Sequence, residues 1–170
     1  MAGFTESGIT LDFSTDTWFR FEKTEPHKSI SHFHFKEMDA CWVDEEHKRF
    51  YAIELKDYSE AGSLDESNTT KRKWDIAKKV VDTMQMYLSA HYQNTFGNRL
   101  EQEKNVDLHS NRLEAYFITI VKVEDSSLGY MGAFKDACLE ILRGYGRVWD
   151  NIHITVMTYE QAKRKLPFVK

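Results

Sequence analysis

The stretch MDACWVDEEHKRFYAIELKDY, residues 38–58, decides how the chain is read. Two apolar segments flank a polar turn. Asp39 lies in the first, and Glu54 and Lys56 lie inside the second. Strand interiors usually carry apolar or β-branched residues on a buried face, so these charges need a cause. Suppose DEEHK (44–48) closes a hairpin. A two-residue loop at Glu46-His47 and a four-residue loop from Glu45 to Lys48 give the same register, with facing residue numbers summing to 93. The longer loop is favoured, because no Gly or Asn supplies the positive φ of the tightest turns.

That register sets Asp39 opposite Glu54, Lys56 opposite Glu37 and Cys41 opposite Ala52 on one face. The other face pairs Met38 with Leu55, Ala40 with Ile53 and Trp42 with Tyr51, and is apolar throughout. A one-residue slip would mix the two sets. Facing side chains have Cβ atoms roughly 4.5–5.5 Å apart. Two carboxylates at about 5 Å repel by roughly 3 kcal/mol at an effective dielectric near 20. Proton sharing, a neighbouring cation such as Lys56, or a bound divalent metal can offset this. Oxygens converging from two strands suit a hard cation, Mg²⁺ or Mn²⁺.

Outward from this hairpin, DTWFRFEK (16–23) reads as an earlier strand, and the first strand of the hairpin extends over 32–43. SNTTKRKWDIAKKVVDTMQMYLSAHYQ (67–93) predicts a helix capped by Asn68, Thr69 or Thr70, with Ala77, Val80, Val81, Met84, Leu88 and His91 at helical spacing. Residues 113–124 predict a strand, 128–144 a helix stopped by Gly144, 151–159 a last strand and YEQAKRKL a short closing helix. The segments 57–68 and 94–111 read as loops. Glycines and Thr10 near the N-terminus disfavour a helix there. The order β-β-β-α-β-α-β predicts an α/β fold with a mixed central sheet flanked by helices.

With 170 residues, 41% hydrophobic and 29% charged, the chain reads as one globular domain spanning 1–170. No apolar run approaches the roughly 18 residues of a membrane span. MAGFTESGIT is not a secretory signal, and Cys41 and Cys138 read as reduced core residues, which together point to the cytoplasm. A net charge of −4 argues against a general polyanion binder, although KRKWDIAKK (71–79) and KRK (163–165) are locally basic. His32 and His34 share a strand face in this reading but lack a third zinc ligand. No glycine-rich nucleotide loop and no Gly-x-Ser-x-Gly is present. The tryptophans Trp18, Trp42, Trp74 and Trp149 read as core or interface anchors.

Asp39, then Glu54-Leu55-Lys56 on the next strand, then a helix, resembles the PD-(D/E)XK nuclease superfamily, with its restriction-endonuclease-like fold. The likeness covers about residues 18–125 by element order; Met38 stands where the literal motif has proline. The resemblance implies that Asp39, Glu54 and the Leu55 carbonyl hold Mg²⁺ or Mn²⁺. It implies that Lys56 orients the attacking water and stabilises charge on the phosphate. It implies hydrolysis of phosphodiesters, with DNA as the expected substrate, as an endonuclease or exonuclease. Lys71, Arg72, Lys73 and Lys78 become candidates for backbone phosphate contacts, and Lys78 and Gln85 for reaching the site. Family members often place another acid on an N-terminal helix; Glu6, Glu22 or Glu37 stands in for it here. Without a separate DNA-binding domain, the protein would form a homodimer, join a larger complex with a protein partner, or act with little sequence preference. The alternative is a nuclease-like fold used as a non-catalytic interaction module, such as an immunity protein or an inactive subunit.

Overall fold

The hairpin forms in the expected register. A computed structural model describes residues 2–13, 15, 17–60, 64–109 and 113–170. In it β4 (Ala40–Asp44) pairs antiparallel with β5 (Arg49–Asp57), with Ala40 opposite Ile53, Trp42 opposite Tyr51 and Asp44 opposite Arg49. The loop is the four-residue one, and Lys48 adopts φ 55° to close it.

The central sheet has five strands in the order β3-β4-β5-β6-β7. β3 is only Trp18–Phe19, antiparallel to β4. The strand expected over 16–23 is therefore short, because Phe21–Lys23 turns into a 3-10 helix; Asp16 lies outside the described residues. The strand expected over 32–43 begins only at Ala40. Ahead of it lie α1 (Glu25–Ile30), capped by Thr24, and a 3-10 turn over Ser31–Phe33. His32 and His34 thus sit on a turn and not on one strand face, with His34 left-handed at φ 59°.

β6 (Glu114–Lys122) and β7 (Ile152–Thr158) run parallel to β5. Parallel neighbours need long crossovers, and helices supply them. The first contains α2 (Glu66–His91) and α3 (Thr95–Lys104); the second is α4 (Leu128–Val148). The Asp65 side chain accepts the Asn68 N–H at 2.8 Å and caps α2, upstream of the expected caps. α4 runs through Gly144, which keeps a negative φ and faces open space. The capping box of Thr158 and Gln161 starts α5 (Tyr159–Lys165), as the sequence predicts.

The expected loop over 94–111 contains α3, capped by Asn94. Residues 61–63 of the first expected loop and 110–111 of the second lie outside the described residues. α3 returns tightly against the end of α2, and Gly97 makes this possible: a Cβ there would lie 2.2 Å from the Ala90 Cα. Gly97→Ala is expected to cost about 1–3 kcal/mol, read as a lower denaturation midpoint with an unchanged m-value.

Two cores form on opposite sheet faces. Phe50, Ala52, Cys41 and Phe117 pack against α2 and α4 through Ile76, Val80, Tyr87 and Phe134. Trp42, Tyr51, Ile53 and Leu55 pack against a two-stranded N-terminal ribbon, β1 (Ala2–Glu6) and β2 (Ile9–Phe13), and against Phe168. The expected Met38–Leu55 contact is absent. Met38 precedes the ladder and joins the helix-side core, its N–H donating to Thr83 Oγ1 at 2.9 Å. Both cysteines are free and buried.

Candidate functional site

Strand alternation puts Glu54 and Lys56 on the face toward α2, between the apolar residues that fill the opposite face. Asp39 lies one residue before the paired part of β4, so it projects toward the same place. Its Oδ2 accepts the Leu55 N–H at 2.7 Å, which locks the carboxylate against β5 and leaves Oδ1 facing the cleft. Glu54 is 0% exposed and Asp39 7%.

The offsetting cation comes from α2. Lys79 Nζ lies 3.1 Å from Asp39 Oδ1, 2.8 Å from Glu54 Oε1 and 2.9 Å from Glu54 Oε2. Lys56 pairs with Glu54 as well. Two carboxylates from adjacent strands therefore share one ammonium, with a second ammonium beside them. Lys79 occupies the helix position one turn before Thr83, so its stem leaves the edge of the buried stripe and reaches down to the sheet.

Burial pushes the Glu54 carboxyl up to about 7, with the Asp39 charge adding to the rise; Lys56 and Lys79 pull it back only in part. Burial lowers the Lys79 ammonium, but Glu54 and Asp39 outweigh that and hold it above the usual lysine range. The ammonium reports the attraction and the carboxyl reports the burial. The Glu54 side chain has 0% exposure, so loss of hydration dominates and its carboxyl moves up.

Asp39, Lys56 and Lys79 of this cluster line a cleft of about 510 Å³. Glu6, Glu22 and Glu37, the three acids considered as stand-ins for the N-terminal helix carboxylate, all line it. Glu6 and Glu22 share the Arg20 guanidinium at 3.5 and 3.0 Å, and Glu37 lies 3.0 Å from His27 Nε2. The expected Glu37–Lys56 pair is thus replaced by Glu37–His27. Tyr58 closes the wall; burial raises its hydroxyl to about 12, and Arg72 stacks over its ring at 4.0 Å. A larger groove of about 920 Å³ lies between α4 and β7, away from these carboxylates.

Of the other basic candidates, Lys71 is exposed at the start of α2, Lys73 lies near enough to Cys138 to act on its thiol, and Lys78 pairs with Asp82 at 2.6 Å. Gln85 is exposed and faces a small hollow with Phe96, not the cleft. Trp74, read as an anchor, is 58% exposed. Sequence reasoning passed over Lys79. Its signal was weak: a lysine at the border of an amphipathic stripe, indistinguishable from its neighbour Lys78 until the sheet is in place.

Glu101, Asp107 and His109 also bring ligand atoms within 4.8 Å of one another. Glu101 Oε1 accepts the N–H groups of Leu108 and His109 at 2.6 and 3.0 Å, so this group is accounted for as a clamp on the chain leaving α3. No helix among the described residues is long and apolar enough to cross a membrane. No family model, curated protein or solved structure matches the chain.

Proposed function

We propose that the chain is a Mg²⁺- or Mn²⁺-dependent phosphodiesterase of the PD-(D/E)XK kind, acting on nucleic acid and on DNA in the first instance. One observation carries this reading: carboxylates on adjacent strands converge on a single cation, with a lysine two residues beyond Glu54. The order of antiparallel β3-β4-β5, then a helix, then a parallel strand agrees with the restriction-endonuclease-like core that the motif implies.

The donor set fits a hard dication. Asp39 Oδ1, the Glu54 carboxylate and the Leu55 carbonyl are all oxygens, and Lys79 Nζ stands where a positive charge is wanted. When bound, the metal would supply a water of lowered pKa and neutralise charge on the phosphate. The chain's own groups do the rest. The Leu55 N–H orients Asp39. Lys56 holds a water or a phosphate oxygen beside Glu54. Lys79, displaced from the carboxylates, remains in the cleft as a second cation for the phosphate.

The same lysine favours a second reading. It neutralises both acids internally, as a non-catalytic module would need. Calorimetric titration with Mn²⁺ and a Mn²⁺-dependent DNA-cleavage assay together separate the two. The hydrolase reading expects wild-type binding that Asp39→Ala abolishes; absence of binding to the wild type leaves only the module.

A further inference from the structure

β7 forms one edge of the central sheet, and its sequence, IHITVMT, holds no Lys, Asp, Glu or Pro. Natural edge strands are normally blunted by such residues, by shortness or by a cover. β3 at the other edge is blunted by being only two residues long. β7 is seven residues long and rich in β-branched residues, and although Ile152 and Val156 pack under α4, Ala133 and Ala137 leave a groove of about 920 Å³ beside Ile152 and Ile154.

The hydrogen-bond phase shows which β7 amides are open. The Ala115 N–H donates to the Asn151 carbonyl, and Ala115 stands opposite Ile152. In a parallel ladder this turns His153, Thr155 and Met157 toward β6, and Ile152, Ile154, Val156 and Thr158 outward. Ile152 N–H is satisfied by the Trp149 carbonyl at 3.1 Å, and Thr158 N–H by Gln161 Oε1 at 3.1 Å. Ile154 and Val156 remain with their N–H and C=O groups pointing away from the sheet.

The helix above this edge carries a sorted charge pattern. Asp136, Glu140, Arg143 and Arg147 recur at helical spacing along α4, acids first and bases after. All four are exposed, and none has an ion-pair partner among the described residues.

We infer that β7 and α4 form a two-fold interface with a second copy of this chain, the β7 strands pairing antiparallel about Thr155. That axis sets Ile154 of one copy opposite Val156 of the other, both pointing outward, so each pair exchanges N–H and C=O in both directions. The same axis reverses α4, so the acidic half of one helix lies along the basic half of the other. A polar edge and a charge pattern that each complement themselves under one rotation fit an isologous contact. A partner with a uniform charge would meet repulsion along half of the helix. The inference does not depend on the phosphodiesterase reading.

Sedimentation equilibrium on the full chain at sub-millimolar concentration tests it. The wild type is expected to be a dimer. Glu140→Arg and Arg143→Glu each set like charges together twice per dimer, so each is expected to weaken association about 10-fold or more. The double exchange is expected to restore it. Both changes are on exposed, unpaired side chains, so the fold is retained, as circular dichroism would report. Ile154→Pro removes an outward N–H that the monomer does not use, and is expected to abolish the dimer. A monomeric wild type, a dimer that none of these changes weakens, or single-variant losses that the double exchange fails to restore would each overturn the interface.

Discussion

Replacing Lys79 with methionine is expected to lower the unfolding free energy at pH 8, in metal-free buffer, by about 3 kcal/mol. The methionine keeps the stem that crosses the edge of α2 and removes only the charge. Asp39 and Glu54 then face each other nearly out of water with Lys56 as the remaining cation. Their repulsion alone is of that order at a separation near 5 Å. Denaturant titration measures the loss. If the carboxylates bind a dication, Mn²⁺ should restore more stability to this variant than to the wild type, because the ion no longer competes with an ammonium.

The pH dependence carries the sign of the effect. Glu54 titrates at about 7 in the folded chain against an ordinary 4.5. Between those values the folded state binds more protons than the unfolded one, so stability falls as pH rises through the window. The fall amounts to about 3 kcal/mol by pH 8. Glu54→Gln is expected to flatten this window, since the amide has no proton to lose. Lys79→Met is expected to extend the fall above pH 7, because loss of the ammonium raises the Glu54 carboxyl further. A cost of Lys79→Met that is equal at pH 5 and pH 8 would show that charge is not what the lysine contributes.

The parts of the fold legible in the sequence are those that local chemistry decides. A turn without Gly or Asn selected the four-residue loop, the placement of the turn over DEEHK set the register with either loop, and the register brought Asp39 beside Glu54. Long amphipathic helices such as α2 and α4 announced themselves by spacing. The N-terminal ribbon was missed although its cue was present. Ser7 and Gly8 both take positive φ, 53° and 66°, in a two-residue turn between Phe4 and the alternating Ile9, Leu11 and Phe13. The glycines argued against a helix and were not read as a hairpin. α3 was hidden because its apolar content is little more than Phe96 and Leu100, and because Gly97 reads as a breaker when it is a contact point. Lys79 was invisible for a different reason. Its partners are 40 and 25 residues away in the chain, and only the stacking of α2 on the sheet distinguishes it from a solvated lysine.

If the chain is the proposed phosphodiesterase, Lys56→Ala is expected to reduce Mn²⁺-dependent cleavage of DNA by about 1000-fold while leaving Mn²⁺ affinity within a few-fold of wild type. Lys56 is not an oxygen donor, so its removal takes nothing from the metal's ligand set. It does take a cation from beside the buried Glu54 and from the wall of the cleft, where its side chain is 28% exposed. Glu54→Gln should behave otherwise. It weakens metal binding and cleavage together, because an amide oxygen is a poorer donor than a carboxylate and the amide nitrogen repels the ion. The contrast between the two variants is what assigns the roles. A Lys56→Ala chain that cleaves like wild type would place the attacking water under some other group. Lys79 is the nearest alternative, since it reaches the same two carboxylates from the helix side. A chain that binds Mn²⁺ through Asp39 but cleaves neither single- nor double-stranded DNA would leave the site as a metal-loaded module, with Lys56 and Lys79 as its counter-charges.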